Sequence, residues 1–295
     1  MERRQLEYFL AVVEHGGFSK AARALHVAQP SLSHTIAGLE AEVGGLLFHR
    51  LPHGVVLTAA GEALVEPARQ TTRDLDTALS SVREVLGLSA GRLDIVAQTS
   101  LAVDPLAGML GRFLAAHPRV SVRVSDPERG WEAADIVRSG ACELGLLSAA
   151  LPVGELAGIE LAEQELRLVL PPGTEPPDGG VLGGPDLAEL SFVATTEGDV
   201  SREVLQATLR GLGHEPRIAV ETAHRAMLVP LVLAGAGAAL LPGSMADDAA
   251  AKGAVVCATE PAAYYRGRLV WRSGPLSPAA SGFVALARAY YGIRP

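Results

Sequence analysis

The chain has 295 residues, of which 48% are hydrophobic and 20% are charged, and its formal net charge is −8 at pH 7. This composition excludes global disorder, and the length suits two domains or three small ones. The negative charge disfavours a protein that coats nucleic acid without regard to sequence, but it leaves open a site-specific binder with one small contact module. The two cysteines, Cys142 and Cys257, match no zinc spacing and are typical of reduced thiols in the cytoplasm.

Two segments resemble targeting signals, and neither interpretation holds. Two arginines precede an apolar run at the N-terminus, but Glu7 and Glu14 interrupt the run and no small-residue cleavage site follows. The uncharged stretch 226–246 is long enough to span a membrane, but prolines and glycines divide it into a helix, a turn and a strand. We therefore predict a cytoplasmic protein without a membrane span.

The first 45 residues predict three helices. The first shows an apolar stripe at helical spacing and ends at Gly16-Gly17, and the second begins with Ser19 as its N-cap. A short break precedes the third, which begins at Gln29-Pro30. Two short helices joined by a tight turn indicate a helix-turn-helix, although a structural three-helix bundle with a polar face fits the same pattern.

The polar face of the third helix has the chemistry of DNA recognition. Glutamine pairs with adenine, and serine, threonine and histidine bond base edges or phosphates. The start of the helix also offers free N–H groups to a phosphate. The predicted contact residues here are Gln29, Pro30, Ser31, Ser33, His34 and Thr35.

A predicted hairpin follows, with His53-Gly54 at its turn, and a hairpin after a recognition helix is a wing. The whole segment resembles the winged helix-turn-helix of LysR-type transcriptional regulators. The resemblance adds Ser19, Arg50 and His53 to the predicted DNA contacts. The matching residues are Leu6, Phe9, Val13, Glu14, Gly17, Phe18, Ser19, Ala21, Ala22, Leu25, Gln29, Pro30, Ser31, Leu32, Ser33, Ile36, Leu39, Glu40, Gly44, Leu47, Phe48, Arg50, Leu57, Thr58 and Gly61.

The segment departs from the family at three places. Ala28 replaces a serine, His34 stands where arginine or glutamine is common, and Pro52-His53 replaces a basic wing tip. These departures concern the wing's contacts with phosphate and the minor groove. They keep open an alternative, namely a structural or ligand-binding dimer whose DNA-binding head is degenerate.

A long helix is predicted over 59–88, with Thr58 as its N-cap. Its apolar seam repeats in heptads and needs a partner, either the chain's own core or a second chain. The resemblance implies an antiparallel dimer, usually within a tetramer, and two recognition helices facing a partly palindromic site. The seam residues are Leu64, Ala68, Thr71, Leu75, Ala78, Val82 and Val85.

Residues 91–295 alternate predicted strands and helices, which indicates an α/β class with parallel sheets. The elements are strands at 93–97, 120–124, 144–147, 166–170, 192–194, 218–220, 238–241 and 268–271, and helices at 104–117, 131–139, 201–212, from 222, and 278–291.

The resemblance implies two lobes shaped like a periplasmic binding protein. The predicted domains are a DNA-binding domain (1–58), a linker helix (59–90) and an effector domain (91–295), with lobe I at 91–162 plus 266–295 and lobe II at 163–265. A small molecule, possibly a carboxylate, is expected between the lobes, since helix starts and hydroxyls suit an anion. The predicted contacts are Gln98, Thr99, Ser100, Glu128, Ser148, Thr195, Thr196 and His224.

The same loops carry charges that complicate the carboxylate prediction. Glu128, Glu197 and Asp199 would repel an anion, and Arg225 or His224 could offset them. The sequence holds no phosphate-binding loop, nucleophile elbow or zinc-protease motif, so we expect neither an enzyme nor a cofactor. The predicted function is a regulator in which the effector changes DNA bending and contact with RNA polymerase.

Overall fold

The computed structural model describes residues 1–51, 54–85, 91–127, 130–175 and 178–293. These residues form two compact units, the first made mainly by residues 1–85 and the second mainly by those from 91 onward. The first unit contains helices α1 to α4 and a two-stranded sheet. Their bounds are α1 Arg3–His15, α2 Phe18–Ala24, α3 Gln29–Val43, β1 Phe48–Leu51, β2 Gly54–Leu57 and α4 Ala59–Val85.

Local chemistry begins and ends these helices as predicted, with one exception. Gly16 and Gly44 end α1 and α3 in the left-handed conformation, at φ 64° and 80°, which glycine adopts without strain. The N-cap of α2, however, is Gly17, so the prediction of Ser19 as N-cap is wrong. The helix begins earlier because Phe18, its first residue, is buried in the core of the unit.

The core of the first unit centres on three aromatic rings. Phe48, the first residue of β1, lies 5.3 Å from the ring of Phe9 and 5.6 Å from the ring of Phe18. The strands β1 and β2 pair antiparallel, as a wing requires. The turn residues Pro52 and His53 lie outside the described part of the chain.

Helix α4 begins where the sequence predicts, because the Thr58 hydroxyl accepts a hydrogen bond from the amide of Gly61 at 3.0 Å. The first half of its seam, including Ala68, packs on the core of the same unit. Further along, three apolar side chains are exposed, Leu75 by 41%, Leu79 by 46% and Val82 by 58%. The seam thus continues beyond its own core. The predicted residues 86–88 are outside the described chain.

The second unit is an α/β structure with a mixed main sheet. Strand order is β4-β3-β5-β12-β6-β11-β7, with β10 also paired to β6, while β8 and β9 form a separate parallel pair. The bounds are β3 Arg92–Ala97, α5 Thr99–Leu101, α6 Ala107–Ala116, β4 Ser121–Ser125, α7 Glu132–Arg138, β5 Leu144–Ser148, β6 Ala157–Leu170, β7 Val181–Gly183, α8 Gly184–Glu189, β8 Ser191–Thr195, α9 Val200–Gly211, β9 Arg217–Thr222, α10 Leu228–Leu233, β10 Ala239–Pro242, α11 Gly243–Ala251, β11 Val255–Glu260, β12 Ala263–Trp271 and α12 Pro278–Tyr290.

The prediction that the sheets are purely parallel is therefore wrong. Strands β3, β4 and β5 are parallel, but β12 runs antiparallel to both β5 and β6. Strand β6 crosses the predicted lobe boundary at 162/163, and β12 crosses the one at 265/266. The chain leaves lobe I along β6 and returns to it along β12, so these two strands run in opposite directions.

Further helices and strands differ from the prediction at their edges. Asp104 has extended dihedrals, and the regular helix α6 begins at Ala107 rather than at Pro105. The prediction lacks strands β7 and β11 and helices α5, α8 and α11. The helix predicted from Thr222 is also wrong at its start, since Thr222 is the last residue of β9 and α10 begins at Leu228. Within the described residues, no helix is long and apolar enough to cross a membrane.

Candidate DNA interface and effector cavity

The third helix presents a polar face to solvent. Gln29, Pro30, Ser31 and His34 are exposed, while Ser33 and Thr35 are half-buried. The Gln29 amide donates to the Ser33 hydroxyl at 3.3 Å, and the Thr35 hydroxyl donates to the Ser31 carbonyl at 2.9 Å. Gln29, Ser31 and His34 are thus the exposed polar residues that a ligand can reach on this face.

The opposite face of this helix fixes its orientation. Leu32, Ile36 and Leu39 are fully buried in the core of the first unit. At the end of the helix, Glu40 holds the start of the wing, since its carboxylate accepts hydrogen bonds from the amides of Leu47 at 2.8 Å and Phe48 at 3.4 Å. Helix and wing are therefore held together by a charge-assisted contact.

The structure describes the remaining predicted DNA contacts to different extents. Ser19 is exposed on α2. Arg50 belongs to β1, but its side chain is not among those described, and His53 lies outside the described residues.

The second unit contains a cavity of about 270 Å³ between its two lobes. The loops that form it follow the carboxyl ends of the parallel strands β3, β4, β8 and β9, which is where α/β proteins bind small ligands. The lining residues are Gln98, Thr99, Asp126, Pro127, Gly130, Thr195, Thr196, Glu197, Gly198, Asp199, Ala223 and Arg225.

Gln98 and two glycines bring the lobes close together at one end of the cavity. The buried Gln98 side chain accepts a hydrogen bond from the amide of Ser148 and donates to the Gly198 carbonyl at 3.5 Å. A Cβ at Gly130 would lie 2.4 Å from the Gly198 carbonyl oxygen, so only glycine permits this approach.

Arg225 is the positive charge of the lining. Its side chain is 13% exposed and forms an ion pair with Asp199, whose side chain is 8% exposed. Its Nη1 also donates to the Ser100 hydroxyl of the other lobe at 2.5 Å. Burial lowers the pKa of Arg225 to about 10 against the opposing effect of Asp126, so the guanidinium stays charged at pH 7.

The lining is acidic overall. Asp126 accepts a hydrogen bond from the Thr99 hydroxyl at 2.5 Å, and Glu197 is exposed to the cavity mouth. With Asp199 they make three carboxylates against the single guanidinium of Arg225 in the described lining. The side chains of the described lining thus carry two more negative charges than positive ones.

The predicted effector contacts divide into four groups. Gln98, Thr99, Thr195 and Thr196 line the cavity. Ser100 and Ser148 lie behind it, where Ser100 contacts Arg225 and Ser148 contacts Gln98, and His224 is exposed outside the lining. Glu128 lies outside the described residues. Sequence reasoning also placed Ala223 at the cleft, and Ala223 does line the cavity, but it did not include Gly130 and Gly198, although glycines can mark close backbone approach.

Comparison with known proteins shows which family the chain belongs to. The family model described as "Bacterial regulatory helix-turn-helix protein, lysR family" matches residues 3–62, and "LysR substrate binding domain" matches residues 86–292. The chain belongs to the LysR family of bacterial transcriptional regulators. It is similar to the probable HTH-type transcriptional regulator LrrA of Synechococcus elongatus, with 33% identity over 82% of this chain and 81% of that protein.

Further relatives support the same assignment. IlvY, an HTH-type transcriptional regulator of Escherichia coli, is 28% identical over 82% of each chain. The fold matches a crystal structure of full-length CbnR complexed with its target DNA, with a TM-score of 0.70, 24% identity, and coverage of 98% of this chain and 99% of that one.

Membership of the LysR family gives each unit its role. The first unit carries the DNA-binding helix-turn-helix, and the second is the domain that binds a small-molecule effector. Like its relatives, the protein is a transcriptional regulator and not an enzyme. Within the described residues, no group of three His, Cys, Asp or Glu side chains could hold a metal ion.

Proposed function

We propose that this LysR-type regulator reads a partly palindromic promoter site through α3, with Gln29, Ser31 and His34 on base edges. The observation that carries the proposal is the exposed polar face of α3, whose opposite face is buried in the core of the first unit. Ser19, Pro30, Ser33, Thr35, Arg50 and His53 are proposed to support binding by contacting backbone phosphates or by shaping the helix start. The structure of CbnR with its target DNA is consistent with this use of the fold.

The proposed domain boundaries are 1–58 for DNA binding, 59–90 for the linker helix and 91–295 for the effector domain. The exposed side chains of Leu75, Leu79 and Val82 support pairing of α4 with a second copy, because a solvated apolar seam on a long helix gains stability from a partner. We propose a dimer that assembles into a tetramer, works in the cytoplasm and contacts RNA polymerase at the promoter.

The effector is proposed to be a small carboxylate in the cavity between the lobes. Arg225 supports this proposal, because it is charged, lines the cavity, and uses only part of its five N–H donors on Ser100 and Asp199. Thr195 and Thr196 add hydroxyl groups to the same lining. An effector that binds one arrangement of the lobes more tightly than another would shift the population of DNA-bound states.

Fluorescence anisotropy on the intergenic DNA upstream of the gene tests the DNA-binding proposal. The full chain should bind this duplex more tightly than a scrambled duplex at the same salt concentration. His34→Ala should cost about 1–3 kcal/mol of binding free energy and relax sequence preference, while His214→Ala, at an exposed histidine of the second unit, should change neither. Equal, weak binding to both duplexes would contradict the proposal and favour a degenerate DNA-binding head.

A further inference from the structure

We infer that the effector carries an ammonium group as well as a carboxylate, so that the cavity takes a small α-amino acid. This inference rests on the proposed carboxylate site and adds a second, oppositely charged subsite formed by Asp126 and Glu197. Asp126 belongs to lobe I and Glu197 to lobe II, and both line the same cavity.

The charge balance of the lining argues against a simple anion. Arg225 already pairs with Asp199, which also accepts a hydrogen bond from the amide of Ser201 at 3.0 Å. That ion pair is internally neutral. A ligand with only a negative charge would therefore enter a cavity whose remaining charges, on Asp126 and Glu197, repel it.

Among the residues that the structure describes, nearby cations do not remove this repulsion. Arg210 is close enough to Glu197 for the carboxylate to contribute to the raised pKa of Arg210, but hydrogen bonding to Glu215 is the main cause, at 2.9 Å. Asp126 has one oxygen bonded to Thr99, and within the described residues no hydrogen bond engages its second oxygen. An ammonium group has three donors and no acceptor, which matches two carboxylates that line the same cavity.

The lining also holds an unused hydroxyl. Thr195 lines the cavity and is only 4% exposed, and its Oγ1 has no hydrogen-bond partner in the described part of the chain. Buried hydroxyls are normally bonded, so Thr195 has an unused donor and acceptor at the wall of the cavity. A hydroxyl can donate to a carboxylate, and Thr195 belongs to the same lobe as Arg225. We assign these two residues to the carboxylate end of the ligand and the two acidic residues to the ammonium end.

The cavity size fits this class of molecule. A cavity of about 270 Å³ is just below the roughly 300–1,000 Å³ that is typical of small-molecule sites, so it suits a small ligand such as an amino acid with a short side chain. An ammonium group bound to both Asp126 and Glu197 would also neutralise two like charges on opposite lobes. The ligand would therefore bind more tightly when the two lobes are closer together.

Thermal-shift and calorimetric titration of the full-length protein test the inference. The probes are the twenty standard amino acids, each compared with its deaminated carboxylic acid and its decarboxylated amine. At least one amino acid should bind roughly tenfold or more tightly than both of its analogues, the gain expected from one charge-assisted hydrogen bond. No binding by any of the twenty amino acids would overturn the inference.

Two variants localise the effect. Asp126→Asn with Glu197→Gln should reduce the preference for the amino acid over its deaminated acid to about threefold or less. The matched control is Asp186→Asn with Glu189→Gln, which makes the same change of charge on the exposed face of α8 in lobe II and should leave the preference intact. Glu197→Gln alone, at an exposed position, gives a second test if the double variant is unstable. An unchanged preference in these variants would overturn the assignment of the ammonium subsite.

The same panel separates this inference from the carboxylate proposal. If the deaminated acids bind as well as or better than the amino acids, the carboxylate proposal stands and the ammonium subsite is wrong. If the amines bind as well as the amino acids, the ammonium subsite stands and the carboxylate proposal is wrong. Binding by none of the three sets contradicts both.

Discussion

The Glu40 carboxylate lies 2.8 Å from the backbone amide of Leu47, and this contact joins the end of the recognition helix to the start of the wing. The same oxygen is 3.4 Å from the amide of Phe48, whose ring packs on Phe9 and Phe18 in the core. The position of the wing relative to α3 is thus set by core packing of Phe48 together with one half-buried side chain, Glu40.

Replacing Glu40 should therefore loosen the wing. We expect Glu40→Ala to lower the free energy of unfolding of the first unit by about 1.5–3 kcal/mol, because two backbone amides lose a charged acceptor. Glu40→Gln, which keeps an acceptor, should lose less. Urea unfolding measures both, with Glu14→Ala at an exposed site of α1 as the control. Equal stability of Glu40→Ala and Glu14→Ala would refute the anchoring role.

Two glycines of the first unit should respond in opposite ways to alanine. A Cβ at Gly61 would lie 2.1 Å from the Leu47 carbonyl oxygen, so Gly61→Ala should destabilise the unit by about 1–3 kcal/mol or more. At Gly38, inside α3, the nearest atom is the Gln5 amide nitrogen at 3.6 Å. Gly38→Ala should stabilise by about 0.5–1 kcal/mol through helix propensity. Thermal unfolding distinguishes the two, and a similar effect of both substitutions would contradict the structure.

The buried pair of Arg225 and Asp199 should show strong energetic coupling. We expect Arg225→Met to destabilise the effector domain by about 3–5 kcal/mol, because the Asp199 carboxylate is left buried without a counterion. Asp199→Asn should also destabilise, since it leaves the guanidinium unpaired.

A double-mutant cycle measures this coupling. The combined variant, Asp199→Asn with Arg225→Met, should lose clearly less stability than the sum of the two single losses. Additive losses in urea unfolding would mean that the two charges do not depend on one another in the folded protein.

The alkaline stability of the effector domain should depend on Tyr265. Its hydroxyl donates to the Asp104 carbonyl at 3.1 Å and also contacts the Gln164 side chain, and burial raises the pKa of Tyr265 well above the usual value of a tyrosine. A folded pKa above the unfolded one means that stability is intact below pH 10 and falls as the unfolded chain ionises. At about pH 11 ionisation of this one group in the unfolded chain should lower the free energy of unfolding by about 1 kcal/mol.

Tyr265→Phe should remove that part of the pH dependence, although it also loses the hydrogen bonds at every pH. The measurement is urea unfolding at about pH 8 and about pH 11 for wild type, Tyr265→Phe and the control Tyr264→Phe, whose side chain belongs to a residue that is 51% exposed. The same alkaline loss in wild type and Tyr265→Phe would contradict the burial effect.

Local sequence patterns were sufficient to predict most helices and strands of the first unit. The apolar stripes, the glycines that end α1 and α3, and the Thr58 cap of α4 act within a few residues of chain, so a linear pattern contains them. The start of α2 is different, because it is decided by burial of Phe18 against Phe48, which lies thirty positions away. The prediction of Ser19 as N-cap used only local preference, and there the tertiary contact prevailed.

For the effector domain, the sequence determined that strands and helices alternate, and which loops follow strands. Tertiary structure alone decided the direction of β12, because that strand returns through both lobes, and it decided that Asp199 and Arg225 neutralise each other across 26 positions of chain. The charge left in the cavity, on Asp126 and Glu197, follows from that pairing. A sequence lists which charges are present, but only the folded chain determines which of them are close enough to cancel.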